Sequence, residues 1–266
     1  MSERREPGAA IRFRGGGFDP AGRRWASWLA FAAIIALWQA ASSTGLLSGA
    51  IMPSPAAVAR ALYELAASGK LGTHVGQSLG RIGLGWLIGT AAGLAVGLAM
   101  GIFSVARAIG IPITAALFPI PKIALLPLFI LWFGIGESSK VATIALGVFF
   151  PTVISAYSAV DNVPRNLIRM GQSFGVPAAA IVAKIVLPGA MPGILAGFRI
   201  SSSIALILVV AAEMIGAEYG IGAFILAAGN LMQTDQLVAG VVILSLLGLA
   251  ISLVLGQIER RVLRWR

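Results

Sequence analysis

Arg169-Met170-Gly171-Gln172-Ser173-Phe174-Gly175-Val176-Pro177-Ala178-Ala179-Ala180-Ile181-Val182-Ala183-Lys184-Ile185-Val186-Leu187-Pro188 lies between two segments apolar enough to cross a bilayer. Gly175 can take a positive φ and so turn the chain. Pro177 then stands where a first-turn proline is tolerated, because its missing N–H would have had no partner. Ala178 to Ala180 favour helix, and Ile181, Val182 and Ile185 make an apolar stripe at helical spacing. Pro188 with Pro192 predicts a stop before the next span. The stretch reads as two short helices joined at Gly175, a bent protrusion standing outside the membrane.

Composition sets the class around it. The 266 residues are 58% hydrophobic and 11% charged, with a mean hydropathy of +0.91, whereas a soluble domain carries about 25% charge. This predicts an all-α, polytopic membrane protein with about six spans. The absence of cysteine excludes a disulfide framework, a thiolate nucleophile and a thiolate metal site. The net charge of +10 does not indicate nucleic acid, because the basic residues flank apolar spans, where the positive-inside bias puts them.

Taken in order, residues 1–24 form a basic, glycine-bearing tail expected in the cytoplasm, and residues 25–41 a first transmembrane helix. A cleaved signal peptide is the rival for that span, since Ala40-Ala41-Ser42 would suit cleavage, but the basic region ahead of it is too long. Residues 42–72 make an outside segment, in which Ala56 to Ala67 can form an amphipathic helix after Pro53-Ser54-Pro55. Residues 73–257 are the expected core, containing the bent loop at 165–190, and residues 258–266 a cytoplasmic end. Val75 to Met100 is the second span and carries Gly85, Gly89, Gly93, Gly97 and Gly101 at four-residue spacing. A glycine row lets a neighbouring helix approach closely where lipid supplies no hydrophobic drive, so it is a helix-packing seam.

Ile109 to Phe133 forms the third span, broken by Pro112, Pro119, Pro121 and Pro127, with Lys122 near its middle. Unpaired backbone and a lysine costing about 2.5 to 3.5 kcal/mol on insertion scales both point away from lipid, toward a lumen-lining element. Lys122 could attract an anion, or its ammonium could serve helix-end carbonyls. Val141 to Val160, Gly193 to Ile215 and Leu237 to Leu255 are the remaining spans, with Glu218 to Gln236 an outside loop. Arg199 and Glu213 stand about 21 Å apart at helical rise, so each needs a partner elsewhere. With Lys122 they are the candidate translocation-pathway residues. For Glu213 the competing role is a buried pairing that fixes helix packing. Both termini are expected on the cytoplasmic side, because outside segments keep only Arg60, Lys70 and Lys140.

Chemistry of other kinds is missing from the sequence. There is no Gly-x4-Gly-Lys-Ser/Thr phosphate cradle, and no catalytic residue or metal site can be assembled from one histidine and ten acids. His74 is expected to hydrogen bond at the interface.

The skeleton Gly175, Ile185, Leu187 and Pro188 resembles the cytoplasmic "EAA" loop of ABC importer permeases. Arg169, Met170 and Gly171 stand where that motif opens with Glu-Ala-Ala, so the first charge is of opposite sign. Pro53-Ser54-Pro55, Ser68-Gly69-Lys70-Leu71, His74, Ser78 and Arg81 resemble the opening of the nitrate, sulfonate and taurine importer permeases. Leu131 to Lys140, Ala212-Glu213-Met214 and Gly220-Ile221-Gly222 are similar to the same group. The resemblance implies a type I importer permease in the cell inner membrane. It implies a homodimer with two ABC ATPase subunits docked on Arg169, Gly171, Gly175, Ile185, Leu187 and Pro188. ATP and Mg would sit on those ATPase subunits, and an extracytoplasmic solute-binding protein would deliver a small, anionic solute such as a sulfonate, nitrate or taurine. The alternative is a secondary transporter or channel driven by an ion gradient, in which Lys122, Glu213 and Arg199 line the path.

Overall fold

The structure is a computed structural model that describes residues 24–45, 48–49 and 51–264. Every regular element among them is helical: α1 (Arg24–Ser43), α2 (Pro55–Ala67), α3 (Lys70–Ile102), α4 (Ser104–Leu117), α5 (Leu126–Phe133), α6 (Glu137–Asp161), α7 (Arg165–Ser173), α8 (Ala178–Ile181), α9 (Leu187–Gly216), α10 (Ile221–Asn230) and α11 (Thr234–Val262). The tail expected over 1–24 lies outside the described residues except for Arg24, which opens α1, and so do Trp265 and Arg266.

Four helical stretches are long and apolar enough to cross a bilayer: α3, α6, the run 178–216 that includes α9, and α11. The third predicted span is two helices, α4 and the pair of a 3-10 turn at Lys122–Leu125 with α5, bent by 85°. Pro119 and Pro121 fall in that bend, where neither residue has an N–H to continue the ladder. The apolar part of α1, Trp28–Ser43, is shorter than the four long spans.

The bundle is built on α3, α6 and α9. A Cβ added to Gly85 would lie 2.6 Å from Ile144 Cγ2, at Gly89 2.3 Å from the Ala145 carbonyl oxygen, and at Gly93 2.6 Å from that of Phe149. At Gly97 and Gly101 it would lie 2.6 Å from the Cβ atoms of Ala156 and Val160. All five seam glycines therefore face α6 with no room for a side chain between the two helices. Because both residue series ascend together, α3 and α6 run parallel. α9 runs against them: Gly193 and Gly197 meet Ala159 and Ser155, while Leu208 meets Gly147. The centre between these helices and α10 and α11 is filled by Ile82, Ile144, Val148, Ala205, Val209 and Ile221.

α2 forms as its sequence predicts. Ser54 Oγ accepts from the Ala57 N–H at 3.2 Å, Pro55 occupies the first turn, and Val58, Ala61 and Leu65 present one buried face. Gly69, at φ +75°, then turns the chain into α3.

Two expectations are corrected. Pro188 and Pro192 do not end a short helix: the chain is helical without a gap from Ala178 to Gly216, through a π turn at Val182–Val186. Pro188 cannot donate to the carbonyl four residues earlier and crowds it; the wide turn immediately ahead absorbs that defect. The outside loop Glu218 to Gln236 contains α10, whose N-terminus is held by groups from other helices, described below.

Candidate functional site

The two ends of the bundle differ in chemistry. At one end, α7 leaves α6 through Asn162 and Val163 and stops at a Schellman turn. The Val176 N–H donates to the Gly171 carbonyl and the Gly175 N–H to that of Gln172, both at 3.0 Å, with Gly175 at φ +68°. Pro177 is the cap of α8 rather than its first residue: its carbonyl accepts from the Ala180 and Ile181 N–H groups at 2.9 and 3.0 Å. The chain thus folds back on itself. Gly171 is buried, and a Cβ there would lie 3.3 Å from Ile181 Cγ1 and from Ile185 Cδ1.

This elbow is seated on the bundle. Ile181, Val186, Ala190 and Ile194 form one buried cluster with Ala156, Val160 and Val163 of the α6 end, and Ile168 and Ile185 pack against it. Its far side is open. Leu167, Met170, Phe174 and Val176 are exposed, Phe174 by 79%, and Arg169 is exposed beside them. Exposed apolar side chains gathered on a seated, folded-back segment are the kind of patch that marks a protein or membrane contact. Ile185, Leu187 and Pro188 are half-buried and belong to the arm that continues into α9. Close by, Arg107 and Asp161 form a two-bond pair at 2.8 and 2.9 Å that ties α4 to α6.

At the opposite end a buried polar cluster joins α3, α6, α9 and α10. Glu213, with a side chain wholly out of solvent, accepts from Ser78 Oγ at 2.8 Å, Arg81 Nη1 at 2.7 Å and the Gly222 N–H at 2.8 Å. Ser78 Oγ in turn accepts from the Ile221 N–H at 2.9 Å. A carboxylate and a hydroxyl thus satisfy the first N–H groups of α10, where the helix end favours negative charge. Arg81 also donates to the Tyr219 carbonyl at 2.6 Å and, through Nε and Nη2, to Glu137 at 2.6 and 2.7 Å. Gly220, at φ +140°, leaves no room for a side chain: a Cβ would sit 2.4 Å from Glu213 Cδ. His74 Nδ1 lies within hydrogen-bond distance of both the Gly220 carbonyl oxygen, at 2.9 Å, and the Gly220 nitrogen, at 3.1 Å, with its ring between Tyr219 and Phe224. A cavity of about 660 Å³ opens beside this cluster, lined by Gln77, Arg81, Glu137, Lys140, Met214 and Tyr219 among others.

Lys122, Glu213 and Arg199 do not share one site. Lys122 Nζ lies in the bend between α4 and α5. It donates to the carbonyls of Leu117, Phe118 and Ile120 at 2.7–2.8 Å and rests 4.7 Å from the Phe150 ring centroid. Arg199 is at the elbow end, paired with Glu259 of α11. Arg81 and Glu137 stand in the sequence only within longer strings, 56 positions apart, with nothing that pairs them. Arg81 lies inside the second span and Glu137 just ahead of the fourth, and a charge in either place needs an opposite charge within reach. Among the described residues no group of three His, Asp or Glu side chains is close enough to hold a metal ion.

Residues 89–264 match the model of the family described as "Binding-protein-dependent transport system inner membrane component". The taurine transport system permease protein TauC of Escherichia coli is 35% identical over 88% of this chain and 87% of its own length. A Bacillus subtilis protein named as the aliphatic sulfonates transport permease SsuC is 34% identical over 88% of this chain and 85% of its own. The fold is similar to that of inward-facing structures of the MetNI methionine ABC transporter. In one of these, a chain that is 22% identical superposes with a TM-score of 0.63, covering 71% of this chain and 94% of that one.

Proposed function

The chain belongs to the family of binding-protein-dependent transport system inner membrane components, and from that premise we propose how it works as the multi-pass permease of an ABC importer. Its solute is a small sulfonate or a related anion. The relatives named for taurine and aliphatic sulfonates, similar over almost nine-tenths of the chain, support this.

An importer permease works with an ATPase and a solute-binding protein. In our reading two identical copies form the pathway, and one ATPase subunit docks on each elbow. ATP and Mg stay on those ATPase subunits, since this sequence holds no phosphate cradle. The elbow end faces the cytoplasm, as the positive-inside bias requires of Arg107, Arg165, Arg169, Lys184, Arg260 and Arg261.

The observation that carries the mechanism is the continuity of the elbow with the span. Its second arm passes through the π turn into α9 without a break, and buried apolar contacts lock it to the end of α6. Closure of the ATPase pair moves the elbow as a rigid body, and α6 and α9 move with it. The result is alternating access. Lys122, in the bend of the broken span, offers a positive charge to the passing anion while its carbonyl bonds hold it in place. Glu213 and Arg199 tie helices together at the two ends.

Reconstitution of the chain in vesicles with its ATPase and binding protein tests this reading. Uptake of labelled 2-aminoethanesulfonate or ethanesulfonate is expected only with ATP and the binding protein present. Flux driven by an ion gradient through the chain alone, with no ATPase retained on purification, would contradict it.

A further inference from the structure

The cavity beside Arg81 lies at the end of the bundle where solute would arrive, and its wall is unusual in charge. Arg81 is 96% buried, and four of its five N–H donors have protein acceptors. Nη1 is fixed inward by Glu213 and the Tyr219 carbonyl, whereas Nε and Nη2 form a flat fork on Glu137, whose side chain is 58% exposed. Lys140 is also 96% buried and lines the same cavity, yet its ammonium has one protein acceptor, the Gly136 carbonyl at 2.9 Å. An ammonium carries three donors. No carboxylate lies within ion-pair distance of it among the described residues.

We infer that Arg81 and Lys140 form a sulfonate-binding subsite in this outer cavity, with Glu137 occupying the Arg81 fork until the solute's anionic group displaces it. The fork geometry of a guanidinium matches two oxygens of one acid group, whether carboxylate or sulfonate. The third sulfonate oxygen has the unspent donors of Lys140 available on the same wall.

Charge arithmetic favours the exchange. Glu218 also lines the cavity but is exposed to solvent; among the inner charges Arg81 and Lys140 balance Glu137 and Glu213, so that cluster is neutral. An anion entering as Glu137 swings into water leaves it neutral again, and avoids the penalty of an uncompensated buried charge. Glu137 can leave cheaply, because it is already more than half solvated and sits on the first residue of α6. Glu213 cannot, since it also holds α10. The assignment rests on the sulfonate reading of the permease and adds the residues that would first receive the solute.

The test uses the assembled permease and ATPase in lipid nanodiscs, with ethanesulfonate as the probe and the uncharged ethyl methyl sulfone as its control. Ethanesulfonate should bind and the sulfone should not. Lys140→Gln should weaken ethanesulfonate binding about tenfold, the worth of one charge-assisted bond. Glu137→Gln should tighten it severalfold, because the internal competitor is gone. Glu137 is half-exposed, so that variant reports even if Lys140→Gln lowers the melting temperature. Equal binding of the sulfone, or unchanged affinity in Glu137→Gln, would overturn the subsite. If vesicles import ethanesulfonate while both variants bind it as wild type does, the subsite fails and the sulfonate reading stands. If the variants shift binding as expected while ATP-driven sulfonate uptake is absent, the subsite stands as an anion site and the substrate reading fails.

Discussion

The Cβ position of Gly171 lies 3.3 Å from Ile185 Cδ1, so the two arms of the elbow meet where one of them has no side chain. The contacted atoms are the tips of flexible side chains, and Gly171→Ala should be tolerated. Gly171→Leu must push the arms apart. We expect ATP-driven uptake to fall at least about tenfold in Gly171→Leu while the helices still assemble, as a displaced contact commonly costs 1–3 kcal/mol. Gly175→Val should act in the same direction, because φ +68° costs a residue with a Cβ about 1–2 kcal/mol. The ratio of solute imported to ATP hydrolysed is the measurement; an unchanged ratio in both variants would remove the elbow from the coupling route.

The seam on α3 makes a paired prediction. A methyl at Gly89 would lie 2.3 Å from a backbone oxygen of α6, which cannot move alone, whereas a methyl at Gly83 meets nothing within 4 Å. Gly89→Ala should lower stability by about 1–3 kcal/mol, and Gly83→Ala should leave it unchanged or slightly raised. Thermal melts of the two purified variants in the same detergent distinguish a packing seam from a merely glycine-rich helix.

At the opposite end the two acids paired with Arg81 should behave differently. Glu213→Gln removes the charge from a fully buried pair and leaves Arg81 under-compensated, a loss of about 3–5 kcal/mol. Glu137→Gln affects a side chain that is 58% exposed and leaves Glu213 still paired with Arg81, so it should cost less than Glu213→Gln. Protease resistance of the α9–α10 turn should fall only in Glu213→Gln, because that carboxylate holds the Gly222 N–H.

Arg199 and Glu259 are both partly exposed, by 50% and 30%. Arg199→Gln should therefore reduce stability by less than about 1 kcal/mol and leave solute selectivity unchanged. A changed selectivity in a transport assay would return Arg199 to the pathway.

How much of this was legible depended on whether the signal was local. The turn at Gly175, the helix that follows Pro53-Ser54-Pro55 and the glycine row each rest on one stretch of chain, so a single segment displays each of them. Pro188 reads as a stop in the sequence, although a π turn can carry a helix past it. The Glu218 to Gln236 segment looked like a loop for a related reason: α10 is held partly by Ser78 and Glu213, from helices far away in sequence. Glu213 itself was recognised as a residue in need of a partner, but Arg81 lies 132 positions earlier, and no periodicity connects such positions. The charge cluster exists only once α3, α6 and α9 are brought together.

The central claim, that the elbow stands in the cytoplasm and is gripped by an ATPase, can be measured directly because the chain has no cysteine. Phe174→Cys places one thiol on the exposed tip of the elbow, where the native side chain is 79% accessible. With oriented vesicles, a membrane-impermeant maleimide should label this thiol only from the cytoplasmic face, and bound ATPase should protect it. Labelling from the outer face, or equal labelling with and without the ATPase, would contradict the account.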